Sequence, residues 1–320
     1  MTVKGVKLAL IVDKHTYPEQ KVFPESKRRE LIERADAFSL RHPPYLRALL
    51  NIHGQRLGES ERELVQEIAN TGKEIFYHAG SGIVEEHVYH VPTQDRKSEI
   101  IRDGGFSKFQ DDGYFEVLDV LGIDFISFNF GPGNKIIYVY SQKKVLDGRG
   151  FRRWYAEDSI HRKDWIEIFK AKLGAIRQIY QGRLAFENIP LHPGLENRGW
   201  MNYVCHADFI SDVFREVKGI HFLLDLCHAQ VTAARLGMSV EQYLKALPLT
   251  RVIEIHISST ERKGNTVFEA HGIPREGDLS LLKWLIKEKG VNPEYITIEH
   301  FHEENLARSF DEVGDFLAGL

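Results

Sequence analysis

Short apolar, β-branched runs recur along the chain, most of them followed by a longer stretch with helical spacing. VKLALIVD ending at Asp13, EIFYH ending at His78, IDFISFNF reaching Asn129 and RLAFE ending at Glu187 read as strands. HFLLD ending at Asp225, RVIEIH ending at His256 and YITIE ending at Glu299 complete a set of seven. Apolar residues three and four apart mark helices at Trp165–Tyr180, Ala207–Val217, Val240–Leu247, Leu279–Lys289 and Ser309–Leu320. Strands alternating with helices imply parallel pairing through right-handed crossovers. The pattern predicts an α/β fold of the (β/α)8 TIM-barrel type, with an open doubly wound sheet as the alternative. An eighth strand is expected within Ser26–Glu63, where helix-like and loop-like signals mix around RHPPYLRALLNIHG.

No low-complexity segment, internal repeat or long linker interrupts the pattern, so a single domain over residues 1–320 is expected. The polar, charge-rich stretch Ile83–Asp112 reads as a βα excursion or lid on it. The 320 residues are 42% hydrophobic and 28% charged, which is ordinary for a globular chain. The formal charge of −4 supplies no electrostatic footprint for nonspecific nucleic-acid binding, so a nucleic-acid partner is not expected. The N-terminal apolar stretch is short and ends at Asp13, Lys14 and His15, which fits a buried strand rather than a signal peptide. No apolar run is long enough for a membrane helix. Two cysteines, Cys205 and Cys227, are too few for a disulfide framework or a thiolate zinc site. A cytoplasmic protein with no membrane association is the expectation.

The chemistry gathers at the strand ends. In parallel α/β barrels the carboxyl ends of the strands carry the active site. Six of the seven predicted strands finish on Asp, Glu or His (Asp13, His78, Glu187, Asp225, His256 and Glu299), and the seventh carries Asn129. With 46 acidic residues and 15 histidines in the whole chain, that concentration is far above chance. Carboxylates converging on one pocket repel and force their pKa values apart, and a divalent cation resolves the conflict. Imidazole with carboxylate and no thiolate suits Fe, Mn or Zn.

Each residue also has a purely structural reading. Asp225 and His228 in LLDLCHA lie three apart, which fits either two ligands at a strand-to-helix junction or a capping Asp beside a core His. Glu254 and His256 share a strand face, so one can orient the other. Glu269 and His271 in FEAHGIP sit on a loop, and Glu299 in ITIEHFH closes the last strand, with His300 on the opposite face. Glu187 in FENIP reads as a ligand or as a salt-bridged carboxylate. His87 and His90 in EEHVYH lack the HExxH order and read as a solvated face, and GPGNK at Gly131–Lys135 reads as a tight turn. No nucleophile elbow and no dinucleotide GxGxxG follows a strand.

The ordered motifs FYHAG, SFNFGP, FENIP, LLDLCHA, EIHISST, EAHGIP and TIEH resemble those of the xylose-isomerase-like TIM barrels. Within that group they are most similar to the multinuclear non-haem iron-dependent oxidative enzymes, the family of the methanobactin-forming iron enzyme. That family shows an SLHG-like strand end, SxH, ENP, LLDxNN, an IHLAGH-like strand, a DTHG loop and a final LIE strand. The resemblance covers about two thirds of the chain and is poor over the first 70 residues. It implies a metal set of His78, Asn129, Glu187, Asp225, His228, His256, Glu269, His271 and Glu299, with Glu187, Glu299 and His228 in catalytic roles. Asn129 stands where the family places a His, Glu269 replaces an Asp, and Cys227–His228 replace paired Asn residues. Those departures bear on the number of metals and on the reaction.

Four functions follow as expectations. The first is a metal-dependent enzyme with a di- or trinuclear iron centre that oxidises a peptide or small molecule, with a partner protein presenting the substrate. The second is a divalent-metal sugar isomerase or epimerase, using Mn held by Glu187, Asp225, His256 and Glu299. The third is a phosphoesterase resembling endonuclease IV. The fourth is a metal-binding barrel without catalysis.

Overall fold

The computed structural model describes residues 5–12, 25–41, 59–84, 86–92, 97–103, 113–131, 134–140, 151–191, 203–299 and 303–320. Eight parallel strands close a barrel. In chain order they are β1 (Lys7–Val12), β2 (Ala37–Leu40), β3 (Glu74–Gly82), β6 (Phe125–Asn129), β9 (Arg183–Glu187), β10 (His221–Asp225), β11 (Val252–Ile257) and β14 (Tyr295–Ile298). Each strand pairs with the barrel strand before and after it in sequence, and β14 pairs with β1 to close the ring. The open-sheet alternative is thereby excluded. All seven predicted strands are present, although Asp13 lies outside the described residues. The eighth strand is Ala37–Leu40, inside the segment where it was expected.

Helices fill the crossovers: α1 (Glu25–Arg34), α2 (Glu59–Asn70), α3 (Tyr114–Val120), α4 (Arg162–Ile179), α5 (Ala207–Glu216), α6 (Leu226–Arg235), α7 (Val240–Lys245), α8 (Glu276–Lys287) and α9 (Glu303–Ala318). Four of these, α1, α2, α3 and α6, are not among the predicted helices, although α2 buries Leu64, Val65 and Ile68 on one face. In α6 the reason is that nearly every side chain from Leu226 to Ala233 is buried, so no polar face marks the period. Both β3 and β6 lead into strands outside the barrel. From these come β4 (Glu86–Pro92), β5 (Lys97–Asp103), β7 (Asn134–Tyr140) and β8 (Phe151–Ser159), a four-stranded sheet in the order β5-β4-β7-β8. Within 83–112 the described residues supply two strands of that sheet, β4 and β5. A hairpin, β12 (Ser259–Lys263) with β13 (Thr266–Gly272), follows β11.

The barrel interior is layered, because side chains two apart on a strand share a face. Its lower layer contains Ala9, Ala37, Phe76, Phe125, Ala185, Leu223, Ile253 and Tyr295, all buried. Three alanines leave room for three aromatic rings: the Phe76, Phe125 and Tyr295 centroids lie 4.7–5.4 Å apart. One step up the same strands the interior turns polar: Ser39, His78, Ser127, Glu187 and Asp225, with His256 and Glu299 beside them, each 0–1% exposed. The aromatic layer is the floor of the site.

Candidate metal centre

The central group comprises Glu187, Asp225, His256 and Glu299, each of which offers a ligand atom within 4.8 Å of the others. Register accounts for their meeting. Glu187 aligns with Leu223 and Asp225 with His256, so the last inward residues of three successive strands and the residue just after β14 face one point. His256 Nδ1 lies 3.4 Å from Glu187 Oε1, 3.8 Å from Asp225 Oδ2 and 3.2 Å from Glu299 Oε2. Its other nitrogen lies 3.0 Å from Glu254 Oε1, which also accepts from the Thr297 hydroxyl at 2.6 Å. An N–H donated from Nε2 to Glu254 leaves Nδ1 facing the three carboxylates, so that loss of its proton would present a lone pair to a metal.

Asp225 serves both readings of its motif at once. Its Oδ1 accepts from the His228 backbone N–H at 2.7 Å and caps α6. Its Oδ2 is buried and accepts no hydrogen bond. The strand-to-helix junction also carries His228 to the same pocket. His228 Nδ1 lies 2.7 Å from the Asn188 carbonyl, which fixes the ring and turns Nε2 toward Glu269 Oε1 at 3.4 Å and Asp225 Oδ2 at 3.8 Å. Asn188 in turn grips Asp225, accepting from its N–H at 2.9 Å and donating to its carbonyl at 3.0 Å.

Glu269 and His271 arrive on β13. His271 adopts φ 44°, a left-handed conformation that costs a β-carbon residue on the order of 1 kcal/mol or more. The following residue must be small, since a Cβ at Gly272 would come within 2.5 Å of Ser259 Oγ across the hairpin. His271 bonds Glu269 through Nε2, and its Nδ1 lies 3.8 Å from Glu299 Oε2. His78 Nδ1 lies 2.8 Å from Ser127 Oγ, and its Nε2 lies 3.5 Å from Glu187 Oε2. Asn129 is the register partner of Glu187, with Oδ1 buried and accepting no hydrogen bond. The structure therefore brings eight of the nine candidates into contact, with Asn129 one strand away from Glu187. The residue missed in the sequence is Arg41. It follows Ala37 and Ser39 in the inward alternation of β2, pairs with Glu299 and lies 3.3 Å from His78 Nε2. The strand-end rule would have found it had β2 been placed.

The electrostatics show a surplus of negative charge. Burial pushes Asp225 up to about 7, and Glu299 and Glu187 add to the rise. Burial works against the charged form of every group here. Glu254, Glu187 and Glu299 nevertheless hold the His256 imidazolium well above its ordinary range, and Asp225 and Glu269 do the same for His228. Glu187, Glu299 and Glu269 end up below their ordinary values despite burial, through His256, Arg41 and His228 respectively, with neighbouring histidines adding to each. His78 differs: burial and then Arg41 drive it down to about 3, so it is neutral. Neither oxygen of Glu187 accepts a hydrogen bond, although the residue is fully buried. A buried carboxylate without hydrogen bonds, balanced only by imidazoles 3.4–3.5 Å away, remains costly, and a divalent cation lowers that cost. The donor set of hard oxygens and imidazoles fits such an ion.

Residues 160–306 match the family model of the RiPP precursor modification enzymes MbnB/TglH/ChrH. This agrees with the family that the ordered motifs resemble. The MbnB/TglH/ChrH match contains Glu187, Asp225, His228, His256, Glu269, His271 and Glu299, whereas Arg41, His78 and Asn129 precede it. A UPF0276 protein of Acaryochloris marina is 29% identical over 126 residues, 39% of this chain and 44% of that protein. The chain thus matches under half the length of this curated relative. Solved structures of similar fold include mannonate dehydratase from Streptococcus suis, with TM-score 0.55, 11% identity and coverage of 98% and 94% of the two chains. A xylose isomerase domain protein from Alicyclobacillus acidocaldarius gives 0.52, 12% and 98% of both chains. These likenesses agree with the closed TIM-barrel fold. Among the described residues no helix is long and apolar enough to cross a membrane. The family match and the buried acidic and imidazole cluster together support a metal-dependent enzyme.

Proposed function

We propose that the chain is a metal-dependent oxidative enzyme whose centre holds two divalent ions, with iron the fitting metal. The observation that carries the reading is the buried Glu187–Asp225–His256–Glu299 group with three carboxylate oxygens that accept no hydrogen bond. These four residues would hold one ion. His228 and Glu269, with Asp225 between the two positions and His271 beside them, would hold the second. When bound, ferrous ions would supply one-electron chemistry between dioxygen and a thiol-bearing substrate.

The chain's own residues do the rest. Glu254 and Thr297 keep His256 in one tautomer, and the Asn188 carbonyl does the same for His228. The Phe76–Phe125–Tyr295 floor closes the barrel beneath the centre, so substrate approaches only from the loop side. Glu187 and Glu299, buried and ionised, would supply ligand oxygens, and His228, the most exposed of the three at 6%, would be the first of them to meet substrate. The MbnB/TglH/ChrH match favours a peptide substrate, presented by a partner protein as the sequence leads one to expect. Residence in the cytoplasm follows from the same reading. The test is anaerobic loading with Fe(II), addition of a cysteine-containing peptide and then oxygen. Thiol loss that requires both iron and oxygen is expected, and thiol loss indifferent to iron counts against the reading.

One observation favours a second reading. The central group is the same four-residue set that an isomerase would use around Mn, with Glu187 and Glu299 flanking the ion. Turnover of free ketoses with Mn(II), insensitive to oxygen, separates the two.

A further inference from the structure

Carboxylate and imidazole atoms meet at three corners, Glu187 with Asp225, His256 and Glu299, His228 with Glu269, and Glu187 with His78, and the third contains a cation from the chain itself. At that corner Glu187 Oε2 lies 3.5 Å from His78 Nε2, with Asn129 the register partner of Glu187. Arg41 stands there. One guanidinium nitrogen is paired with Glu299 Oε1 and the other lies 3.3 Å from His78 Nε2. The side chain is 18% exposed and reaches a carboxylate that is 1% exposed, so the pair lies within the centre.

Its position is built in rather than adventitious. The Arg41 N–H donates to the Val12 carbonyl at 3.0 Å, extending the β1–β2 ladder by one rung. The Tyr77 hydroxyl caps the Arg41 carbonyl at 3.5 Å. A guanidinium remains charged at any accessible pH and has no lone pair to offer a metal. The His78 tautomer follows from the same contacts. A guanidinium can only donate, so Nε2 accepts from Arg41, and Nδ1–H donates to Ser127 Oγ at 2.8 Å. The lone pair that His78 would use as a ligand is therefore directed at Arg41.

We propose that Arg41 is a resident cation that fills the third corner, neutralising Glu299 and engaging His78, so that the chain holds two exchangeable metal ions and not three. This rests on the metal-centre reading above and deepens it. A divalent ion placed at that corner would face the guanidinium at contact distance, and like charges at that range repel strongly in a buried site. His78 becomes a positioning residue for Arg41 in place of a metal ligand.

The experiment is a metal count on the full chain, stripped with chelator, dialysed to saturation against Mn(II) and read by elemental analysis per folded protein. Wild type is expected to hold two ions. R41M, which keeps bulk and removes the charge, is expected to hold a third, and R41K to stay at two. H78A is expected to leave the wild-type count unchanged and, combined with R41M, to abolish the gain. Should R41M fail to fold, R41Q is read in its place. A wild type that binds three ions, or charge-removed variants that fold and stay at two, overturns the proposal while leaving the centre intact. A wild type that takes up no metal overturns the centre itself, and this inference with it.

Discussion

The two ends of the barrel treat charged groups in opposite ways: those of the lower end are partly exposed, those of the upper end buried. At the lower end Glu74 is held by Lys7 and by the Tyr295 hydroxyl, and Arg183 reaches Glu294, Asp124 and Tyr295. Each acid there meets a cation, with Arg183 shared by Glu74, Asp124 and Glu294, and the Glu74 carboxyl is lowered despite burial, through Lys7, Tyr295 and Arg183. At the upper end Glu187, Asp225, Glu254, Glu269 and Glu299 crowd around one arginine and four histidines. The lower end is finished as folded. The upper end is finished only by a ligand, and a site that the chain does not complete by itself is the mark of function rather than of stability.

The sharpest way to break this contrast is to remove one acid from each end. Glu187→Gln is expected to lower metal affinity by at least about a hundredfold, exceeding the usual effect of disturbing a ligand's supporting partner. The metal-free variant should be no less stable than wild type, because a buried charge that accepts no hydrogen bond has gone. Calorimetric metal titration and denaturant melts give the two numbers. Equal metal binding by the variant would place the ion elsewhere.

Glu254→Gln probes the support behind the centre. It removes the carboxylate that fixes the His256 tautomer while leaving the ligand, so affinity should fall roughly ten- to a hundredfold. A stability loss with unchanged affinity would make Glu254 merely a buried partner.

The pH dependence follows from the raised imidazoles. His228 and His256 carry protons at neutral pH, so metal must displace them; affinity should fall as pH falls, with protons released on loading. In the metal-free chain, groups raised by folding contribute stability that is full below their unfolded values and is lost as pH rises through the folded ones. For Asp225 that window runs from the ordinary 3.8 to about 7. Melts across this range, with and without metal, should diverge as pH rises. Parallel curves would contradict the charge surplus.

The smallest effect belongs to the lower end. Glu74→Gln should cost roughly 1 kcal/mol after allowance for solvent screening, and leave metal content unchanged. A loss of metal here would show that the two ends are coupled.

Much of the upper end could be read from the chain because period-two alternation and strand termination carry it. The same rule that puts Ala185 in the floor puts Glu187 in the centre, and Leu223 and Asp225 repeat the relation. What escaped did so for physical reasons. The β2 strand is four residues long, too short for a periodic signal, and Arg41 was hidden with it. The α6 helix is buried on nearly all sides, so its sequence resembles a continuation of β10. The lower ion-pair network was invisible because Lys7, Glu74 and Arg183 lie at strand starts, where charged residues look like ordinary solvated ends.

The most direct test of the contrast is elemental analysis of the full chain purified without oxygen, beside its Glu187→Gln variant. Iron at two ions per wild-type chain and a deficit in the variant is the predicted result. A folded wild type that carries no divalent metal, even when produced with abundant iron, would contradict the account at its centre.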